Sequence, residues 1–286
     1  KMAQYCILLA ILFVGGFALP APQDEGPGFD KEMSIFFDHT ITGANGRIVG
    51  GTVAAEGAFP WMVAMTNGIF RSFMCGGSII TSRHVLTAAH CIAAVRIGNS
   101  LSSTLRVTVG TNRWNSGGQT YTLQGFNNHA QYNPNTIKND IGILITNNAI
   151  VMSNRVAIIP VSSSFIPGNV PATVSGWGRI RAGGPISNQL LKLRTNTVDG
   201  PRCVAEVAAV SQQLNIRAPA VDPAVELCTF IAVNQGACNG DSGSALVLDS
   251  NQQIGIVSWG LPCARGAPDM FVRVSSFNDW IAAATR

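Results

Sequence analysis

The sequence predicts an all-β protein in which short antiparallel strands form barrels or sandwiches. Short runs rich in Val, Ile, Thr and aromatic residues recur along the chain, and Gly, Asn or Pro separates them at hairpin-like intervals. The 286 residues also suffice for one large core or two small ones. The predicted strands are WMVAM (61–65), SIITSRHVLTAA (78–89), TLRVTVG (104–110), QTYTLQGF (119–126), IGILI (141–145), ATVSGWG (172–178), LLKLRTNTV (190–198), SALVL (244–248), QQIGIVSWG (252–260) and DMFVRV (269–274).

Three other segments complete this outline. PVSSSFIPGNVP (160–171) is rich in Ser and Pro and is predicted to link two sets of strands. GPRCVAEVAAVSQQLN (200–215) is a candidate short helix. The C-terminal SSFNDWIAAATR offers Ser276 as an N-cap, followed by three apolar residues at helical spacing, Phe277, Trp280 and Ile281.

The N-terminus has the layout of a secretory signal peptide. One positive charge precedes an apolar run from Cys6 to Val14, then small residues and Pro, and the run is short for a membrane span. We expect a signal over residues 1–18, cleaved after Ala18 or Ala21, and a secreted, extracellular product. Residues 19–47 are acidic, contain Gly and Pro, and lack periodicity, which indicates a loose pro-segment.

The cysteines fit this compartment. Removing the signal takes away Cys6 and leaves six of the seven cysteines, which in a secreted protein indicates three disulfides in one of fifteen pairings. A metal site is the alternative, but no two cysteines have the CxxC spacing. The formal net charge is +4 and the basic residues are scattered, so neither a nucleic-acid surface nor a membrane partner is predicted.

Candidate chemistry centres on GACNGDSGSAL (236–246). Ser242 is either a nucleophile or a turn hydroxyl beside Gly. A nucleophilic serine needs a base near it, and His90, at the end of LTAAHC, is the candidate, because a disulfide at Cys91 would fix the backbone beside the imidazole. The other histidines are predicted to be structural or solvated: His39 in the pro-segment, His84 in a strand and His129 in an Asn-rich loop.

A third group would orient the base. Asp140 in KNDIGILI is a lone acid entering an apolar strand, where a carboxylate without a partner would be costly to bury. A buried carboxylate can fix the tautomer of a histidine and stabilise the imidazolium that forms during acyl transfer.

LTAAHC, NDIGIL and GDSG, in this order, resemble the trypsin/chymotrypsin-like serine proteases. The likeness runs from Arg47 to the C-terminus. It implies two six-stranded antiparallel β-barrels, over residues 48–160 and 172–286, joined by a linker over 161–171. A short helix would end the second barrel, and the active site would lie in the cleft between the barrels.

The resemblance also implies roles for individual residues. Ser242 would be the nucleophile, His90 the general base and acid, and Asp140 the orienting carboxylate, while the N–H groups of Gly240 and Ser242 would form the oxyanion hole. The SWG segment would pair with the substrate backbone through Ser258, Trp259 and Gly260.

The NGRIVGG segment resembles a zymogen activation site. Cleavage between Arg47 and Ile48 by a trypsin-like protease would free an ammonium group that pairs with Asp241. The resemblance further implies disulfides Cys75–Cys91, Cys203–Cys228 and Cys238–Cys263. Trypsins that bind calcium do so with acids in a loop of the first barrel, and the corresponding region 106–121 contains no Asp or Glu. The resemblance therefore implies no metal, and no other cofactor is expected.

Two departures from the family pattern concern the site itself. GDSGSA replaces the usual GDSGGP, so Ser244 and Ala245 put extra atoms behind the nucleophile loop and remove a rigid turn residue. At the base of the primary pocket the resemblance places Gly236 rather than the Asp of trypsins, with Asp269 on the opposing wall. This arrangement resembles broad-specificity collagenolytic arthropod members. It implies cleavage after large apolar or aromatic residues, with basic residues tolerated.

These residues are compatible with three functions. The first is a secreted, zymogen-activated serine endopeptidase, a monomer whose partners are protein or peptide substrates, an activating protease and protein inhibitors, with digestion as its use. The second is a catalytically silent homologue that acts as a binding or regulatory module, although such proteins usually lack a triad member. The third, a small-ligand β-barrel carrier, explains neither the activation site nor GDSG.

Overall fold

The computed structural model describes residues 48–261 and 263–286, so the predicted signal, pro-segment and Arg47 lie outside the described residues. The strands are β1 (Thr52–Val53), β2 (Met62–Asn67), β3 (Ser72–Ile79), β4 (His84–Thr87), β5 (Arg96–Ile97), β6 (Ser100–Leu101), β7 (Arg106–Val109), β8 (Gln119–Tyr121), β9 (Leu123–Asn128), β10 (Gly142–Thr146), β11 (Pro171–Gly176), β12 (Leu191–Val198), β13 (Glu226–Phe230), β14 (Ala245–Leu248), β15 (Gln253–Trp259) and β16 (Asp269–Arg273). The helices are α1 (Ala89–Ala93), α2 (Gly200–Gln213) and α3 (Asn278–Ala284), with a 3-10 turn at Val274–Phe277.

The second half of the chain forms a closed barrel. Six antiparallel strands pair in the order β11-β14-β15-β16-β13-β12, and β12 pairs back onto β11, while β1 extends the edge of β12. Strand β12 shows why these residues form a barrel wall, because Leu191, Leu193 and Thr195 point inward while Lys192 and Arg194 are exposed.

The first half forms a curled antiparallel sheet in the order β8-β7-β2-β3-β4-β10-β9, beside a small β5–β6 hairpin. Its inner face buries Val63, Val85, Val107 and Ile143. The predicted all-β, two-barrel fold is therefore confirmed in outline, with a closed second barrel and a curled first sheet.

The two sheets share a core and meet at the loops that follow β4 and precede β14. Phe277 and Ile281 at the C-terminal end pack into the same apolar cluster as the first sheet, as do Ile256 and Val272 from the second barrel. The predicted C-terminal helix is thus confirmed, and it fastens one half of the chain to the other.

Several details differ from the predicted elements. The run 78–89 is broken between β3 and β4, because the Thr81 hydroxyl accepts hydrogen bonds from the N–H groups of Arg83 and His84 and so closes a turn. Ser276 is not an N-cap, since it lies in the 3-10 turn and donates to the Ala224 carbonyl. Strand β13 was not among the predicted strands.

Helix α2 confirms the prediction for residues 200–215. The Asp199 side chain accepts a hydrogen bond from the Arg202 N–H at its start. None of the helices among the described residues has the length and apolar character needed to cross a membrane.

Candidate active site

The structure brings His90, Asp140 and Ser258 together at the junction of the two sheets. Asp140 precedes β10, and His90 lies in α1 directly after β4, which pairs with β10. His90 Nδ1 lies 2.7 Å from Asp140 Oδ2, and the His90 backbone N–H donates to Oδ1 at 2.8 Å. The Ser258 hydroxyl donates to Oδ2 at 2.6 Å from the second barrel. All three residues are almost fully buried.

This geometry fixes the histidine tautomer. A carboxylate accepts hydrogen bonds only, so Nδ1 of His90 carries a proton toward Asp140 and Nε2 of the neutral ring is left as an acceptor. Three donors occupy the Asp140 carboxylate, which holds both the carboxylate and the imidazole in place. The arrangement can accept a proton at Nε2 and stabilise the resulting cation.

The Ser242 loop packs against the segment that leads to His90. The Gly76 N–H in β3 donates to the Ser242 carbonyl at 2.8 Å. The next residue, Gly243, adopts φ +80°, and a Cβ there would lie 2.2 Å from Thr87 Oγ1. The loop can approach β4 this closely only because residue 243 is glycine.

Two backbone N–H groups of this loop have no hydrogen-bond acceptor among the described residues. The N–H groups of Asp241, Gly243 and Ser244 each donate to a backbone carbonyl. For Gly240 and Ser242, in contrast, the described part of the chain provides no acceptor. Gly240 adopts φ +93°, a conformation that L side chains rarely adopt. Such a pair of free donors can bind a developing oxyanion.

The side chain of Asp241, next to Ser242, is bound by two backbone N–H groups. Its carboxylate accepts from the N–H groups of Gly178 at 2.8 Å and Cys238 at 3.0 Å. Burial raises its pKa to about 7, against the opposing effect of these two hydrogen bonds. Ile48 is also buried, in one apolar cluster with Ala237, while Arg47 lies outside the described residues.

The residues predicted to form the primary pocket are also adjacent. A Cβ on Gly236 would lie 2.6 Å from Asp269 Oδ2, and one on Gly260 would lie 3.8 Å from Asp269 Oδ1. The Ala237 N–H donates to Asp269 Oδ2 at 2.7 Å. The Asp269 carboxylate therefore lies close to both glycines, and the residue as a whole is half-buried.

Comparisons with known proteins identify the family of the chain. The sequence profile of the family described as Trypsin matches residues 48–281. The chain belongs to the trypsin family. It is 33% identical to Trypsin alpha-4 of Lucilia cuprina over 241 residues, covering 84% of this chain and 88% of that protein. It is 36% identical to Chymotrypsin-2 of Vespa crabro over 236 residues, covering 82% and 98%.

A solved structure shows the same fold. The chain matches human heparin binding protein with a TM-score of 0.67 and 26% identity, over 83% of this chain and 96% of that one. Because the match covers most of the chain, it supports the trypsin-family fold for both sheets.

The three disulfides implied by the trypsin-family resemblance are present, Cys75–Cys91, Cys203–Cys228 and Cys238–Cys263. The first joins β3 to α1 beside His90. Among the described residues, the group with metal-ligand proximity is Cys75, His90 and Cys91. Both of its sulfur atoms are in a disulfide, so neither is available as a thiolate ligand.

The two histidines predicted to be structural lie apart from this constellation. His84 Nδ1 is 2.7 Å from the Thr81 hydroxyl, and burial lowers its pKa, with a smaller effect from the Arg83 charge. The ring of His129 packs against Phe277 and Trp280, and burial lowers its pKa as well. His39 lies outside the described residues.

Ser244 is the departure from the family pattern with the clearest structural consequence. Its side chain is fully buried, and its hydroxyl has no hydrogen-bond partner among the described residues. The space it fills lies against two glycines. A Cβ on Gly76 would be 2.1 Å from its Oγ, and one on Gly176 would be 3.2 Å away. A buried hydroxyl without a partner loses its hydration without compensation.

We therefore expect Ser244→Ala to stabilise the protein by about 1 kcal/mol, or about 2–4 °C in melting temperature. Ser78→Ala is the matched control, because its equally buried hydroxyl donates to Gln253 Oε1 at 2.7 Å and its loss should lower the melting temperature. Thermal unfolding of both variants gives the comparison, and a destabilised Ser244→Ala would contradict this account of the departure.

Two features of the site were missed at the sequence level. Ser258 was predicted only as part of the substrate-pairing segment, yet its hydroxyl bonds Asp140. Glu226, an acid within the buried strand β13, accepts hydrogen bonds from Lys138 and from the Trp259 indole. A lone acid in an apolar run was the signal used for Asp140, and the same signal is present in VELCTF.

Proposed function

We propose that residues 48–286 form a secreted serine endopeptidase that hydrolyses peptide bonds through an acyl-enzyme at Ser242. The observation that carries this proposal is the buried hydrogen-bonded set His90–Asp140–Ser258 beside the Ser242 loop, with the free N–H groups of Gly240 and Ser242 in the same loop.

The residues would act in the following way. His90 Nε2 removes the proton of the Ser242 hydroxyl as its oxygen attacks the scissile carbonyl, and the carbonyl oxygen becomes an oxyanion held by the N–H groups of Gly240 and Ser242. The imidazolium, stabilised by Asp140, then protonates the leaving amine. Water attacks the acyl group with the same base, and Ser242 regains its proton.

Cleavage at Arg47–Ile48 would complete the site. Among the described residues, the buried Asp241 has two N–H donors but no cation, and burial raises its pKa. Ile48 is buried nearby, and the Gly236 N–H donates to the Val49 carbonyl at 3.0 Å. Ile48 also has φ +23°, an uncommon value for a β-branched residue. A freed Ile48 ammonium would neutralise Asp241 and hold the adjacent oxyanion donors.

The pocket favours broad specificity. With Gly236 rather than an acid at its base, the pocket would accept large apolar or aromatic side chains, and the Asp269 carboxylate beside Gly236 would attract a basic one when ionised. Substrates would be proteins or peptides, and a trypsin-like protease would supply the activating cut.

The preference for basic residues should depend on pH. Burial raises the pKa of Asp269 to about 7, opposed by the Ala237 N–H and assisted by the charge of Asp241. A carboxylate with a raised pKa is neutral below that pH and ionised above it. We expect the kcat/KM ratio of an Arg over a Phe substrate to rise about tenfold from pH 6 to pH 8, following the ionised fraction.

Taking a ratio of two substrates cancels any effect of pH that is common to both of them. The Ile48 ammonium of the cut chain offsets the charge of Asp241, so the midpoint should lie at or slightly below 7. Asp269→Asn removes the titrating group and should give a flat ratio. A wild-type ratio that does not change with pH would contradict the assignment of Asp269 to the pocket.

Profiling on a peptide library tests the proposed function. The chain is treated with trypsin, the new N-terminus at Ile48 is confirmed by sequencing, and trypsin is inhibited before the library is added. We expect cleavage after large apolar, aromatic and some basic residues, abolished in a variant with Arg47→Gln. Strict cleavage after Arg and Lys would overturn the specificity, and no cleavage would indicate a catalytically silent homologue.

A further inference from the structure

Glu226 is a buried acid that the proposed chemistry does not use. It begins β13, and its side chain is 5% exposed. Its Oε1 accepts from Lys138 Nζ and from Trp259 Nε1, both at 2.8 Å, and its Oε2 accepts from the Asp222 N–H at 2.7 Å. These three hydrogen bonds, one of them from an ammonium group, compensate the cost of burying the carboxylate.

The partners of Glu226 flank the candidate site on both sides. Lys138 lies two residues before Asp140, in the loop that precedes β10, and Trp259 directly follows Ser258 in β15. Lys138 Nζ also lies 5.5 Å from the centre of the Trp259 ring, within the range of a cation–π contact. One carboxylate therefore ties the loop that carries Asp140 to the strand that carries Ser258.

The loop and the strand each contain a local irregularity, which a tertiary contact can stabilise. Ile137 and Asn139, on either side of Lys138, have positive φ angles of 50° and 55°, so the loop holds a conformation with an intrinsic cost. Strand β15 changes register against β16 between Val257 and Trp259, so its pairing is interrupted at this point.

The hydrogen bond of the Trp259 indole N–H to Glu226 contributes to the orientation of the ring. An indole has one N–H group, and the ring here is 2% exposed, packed in one apolar cluster with Ile137 and Met270. The bond to Glu226 thus helps to fix the direction of the side chain, and with it the backbone at Trp259 and Gly260.

We propose that Glu226 is a positioning residue that, with Lys138, holds the Ser258–Gly260 strand in register for pairing with an extended substrate. This inference rests on the proposed function. Glu226 would thereby affect the binding of substrate residues that lie N-terminal to the cleaved peptide bond, because those residues would pair with this strand. The groups proposed to carry out the hydrolysis keep their own contacts. Asp140 remains held by His90 and Ser258 when Glu226 is replaced.

The test compares two substrates of the activated enzyme, a tetrapeptide amide and a single-residue ester with the same cleaved residue. We expect Glu226→Leu to raise KM for the tetrapeptide about tenfold, because the ammonium and indole N–H lose their acceptor, and to change ester hydrolysis less than about twofold. Glu226→Gln retains the oxygen that Lys138 and Trp259 share but turns its NH₂ group toward the Asp222 N–H, so it should recover part of the loss. Lys138→Met should be intermediate.

Glu206→Leu is the matched control. Glu206 is a more exposed acid paired with Arg202 on α2, and its replacement should affect neither substrate. Equal losses on both substrates, or unchanged kinetics in a folded Glu226→Leu variant, would overturn the inference. If Glu226→Leu fails to fold, Lys138→Met and Glu226→Gln decide the question, since Lys138→Met should lose tetrapeptide binding selectively and Glu226→Gln should lose less of it.

A second readout does not depend on activity. Hydrogen exchange of the Trp259 indole N–H, followed by NMR after ¹⁵N-tryptophan labelling, should accelerate in Glu226→Leu and stay slow in Glu226→Gln and Glu206→Leu. If the wild-type enzyme cleaves neither substrate, the proposed function fails, while this exchange still reports whether Glu226 anchors the indole. Unchanged exchange in Glu226→Leu would overturn the anchoring role.

Discussion

Ser242→Ala is expected to lower kcat of the activated enzyme by about 10⁶-fold, the scale seen when a serine nucleophile of this kind is removed. Alanine cannot form an acyl intermediate, and water must then attack without covalent assistance. The backbone contacts of the loop do not involve the side chain, since the Gly76 N–H bonds the Ser242 carbonyl. The variant should therefore fold and bind substrate normally.

Ser244→Ala provides the control for this measurement. Ser244 lies two residues further along the same loop, and its buried hydroxyl contacts no group of the candidate site by hydrogen bond among the described residues. We expect its kcat to stay within about threefold of wild type. A Ser242→Ala variant that retains more than about one hundredth of wild-type activity would exclude Ser242 as the nucleophile.

Asp140→Asn is expected to lower kcat by about 10⁴-fold at neutral pH. The carboxylate accepts from the His90 N–H, from His90 Nδ1 and from the Ser258 hydroxyl. An amide has only one oxygen, so its NH₂ group must face at least one of these donors. The imidazole then favours the tautomer with a proton on Nε2, which cannot accept the proton of Ser242.

Two variants calibrate this result. Ser258→Ala removes one of the three donors and should cost about ten- to a hundredfold, the value of a hydrogen bond to a charged group. Asp249→Asn removes an exposed carboxylate paired with Arg194 and should leave kcat unchanged. If Asp140→Asn were no worse than Asp249→Asn, His90 would not depend on Asp140 for its tautomer.

Much of the candidate site could be predicted because its residues carry local signals. Asp140 stands out as an acid at the start of an apolar strand, and His90 stands beside a cysteine that forms a disulfide. The spatial meeting of these residues follows from the pairing of β4 with β10, which no local pattern specifies. The resemblance to a known family supplied it, together with the three disulfide pairs.

The missed features depend on contacts distant in sequence. Strand β13 begins with Glu226, a residue type that is uncommon in strands, and this acid is buried only because Lys138 and Trp259 reach it from other elements. The bond between Ser258 and Asp140 spans 118 positions. The break between β3 and β4 also depends on one hydroxyl, that of Thr81, rather than on periodicity.

The most direct test of the central claim is the site of covalent labelling by an organophosphonate, located by mass spectrometry in the chain before and after cleavage at Arg47–Ile48. The account predicts one phosphonate per chain, on Ser242, in the cut form, and little or none in the uncut form. Labelling of another residue, or no labelling after a verified cut, would contradict the proposal that Ser242 is an activated nucleophile.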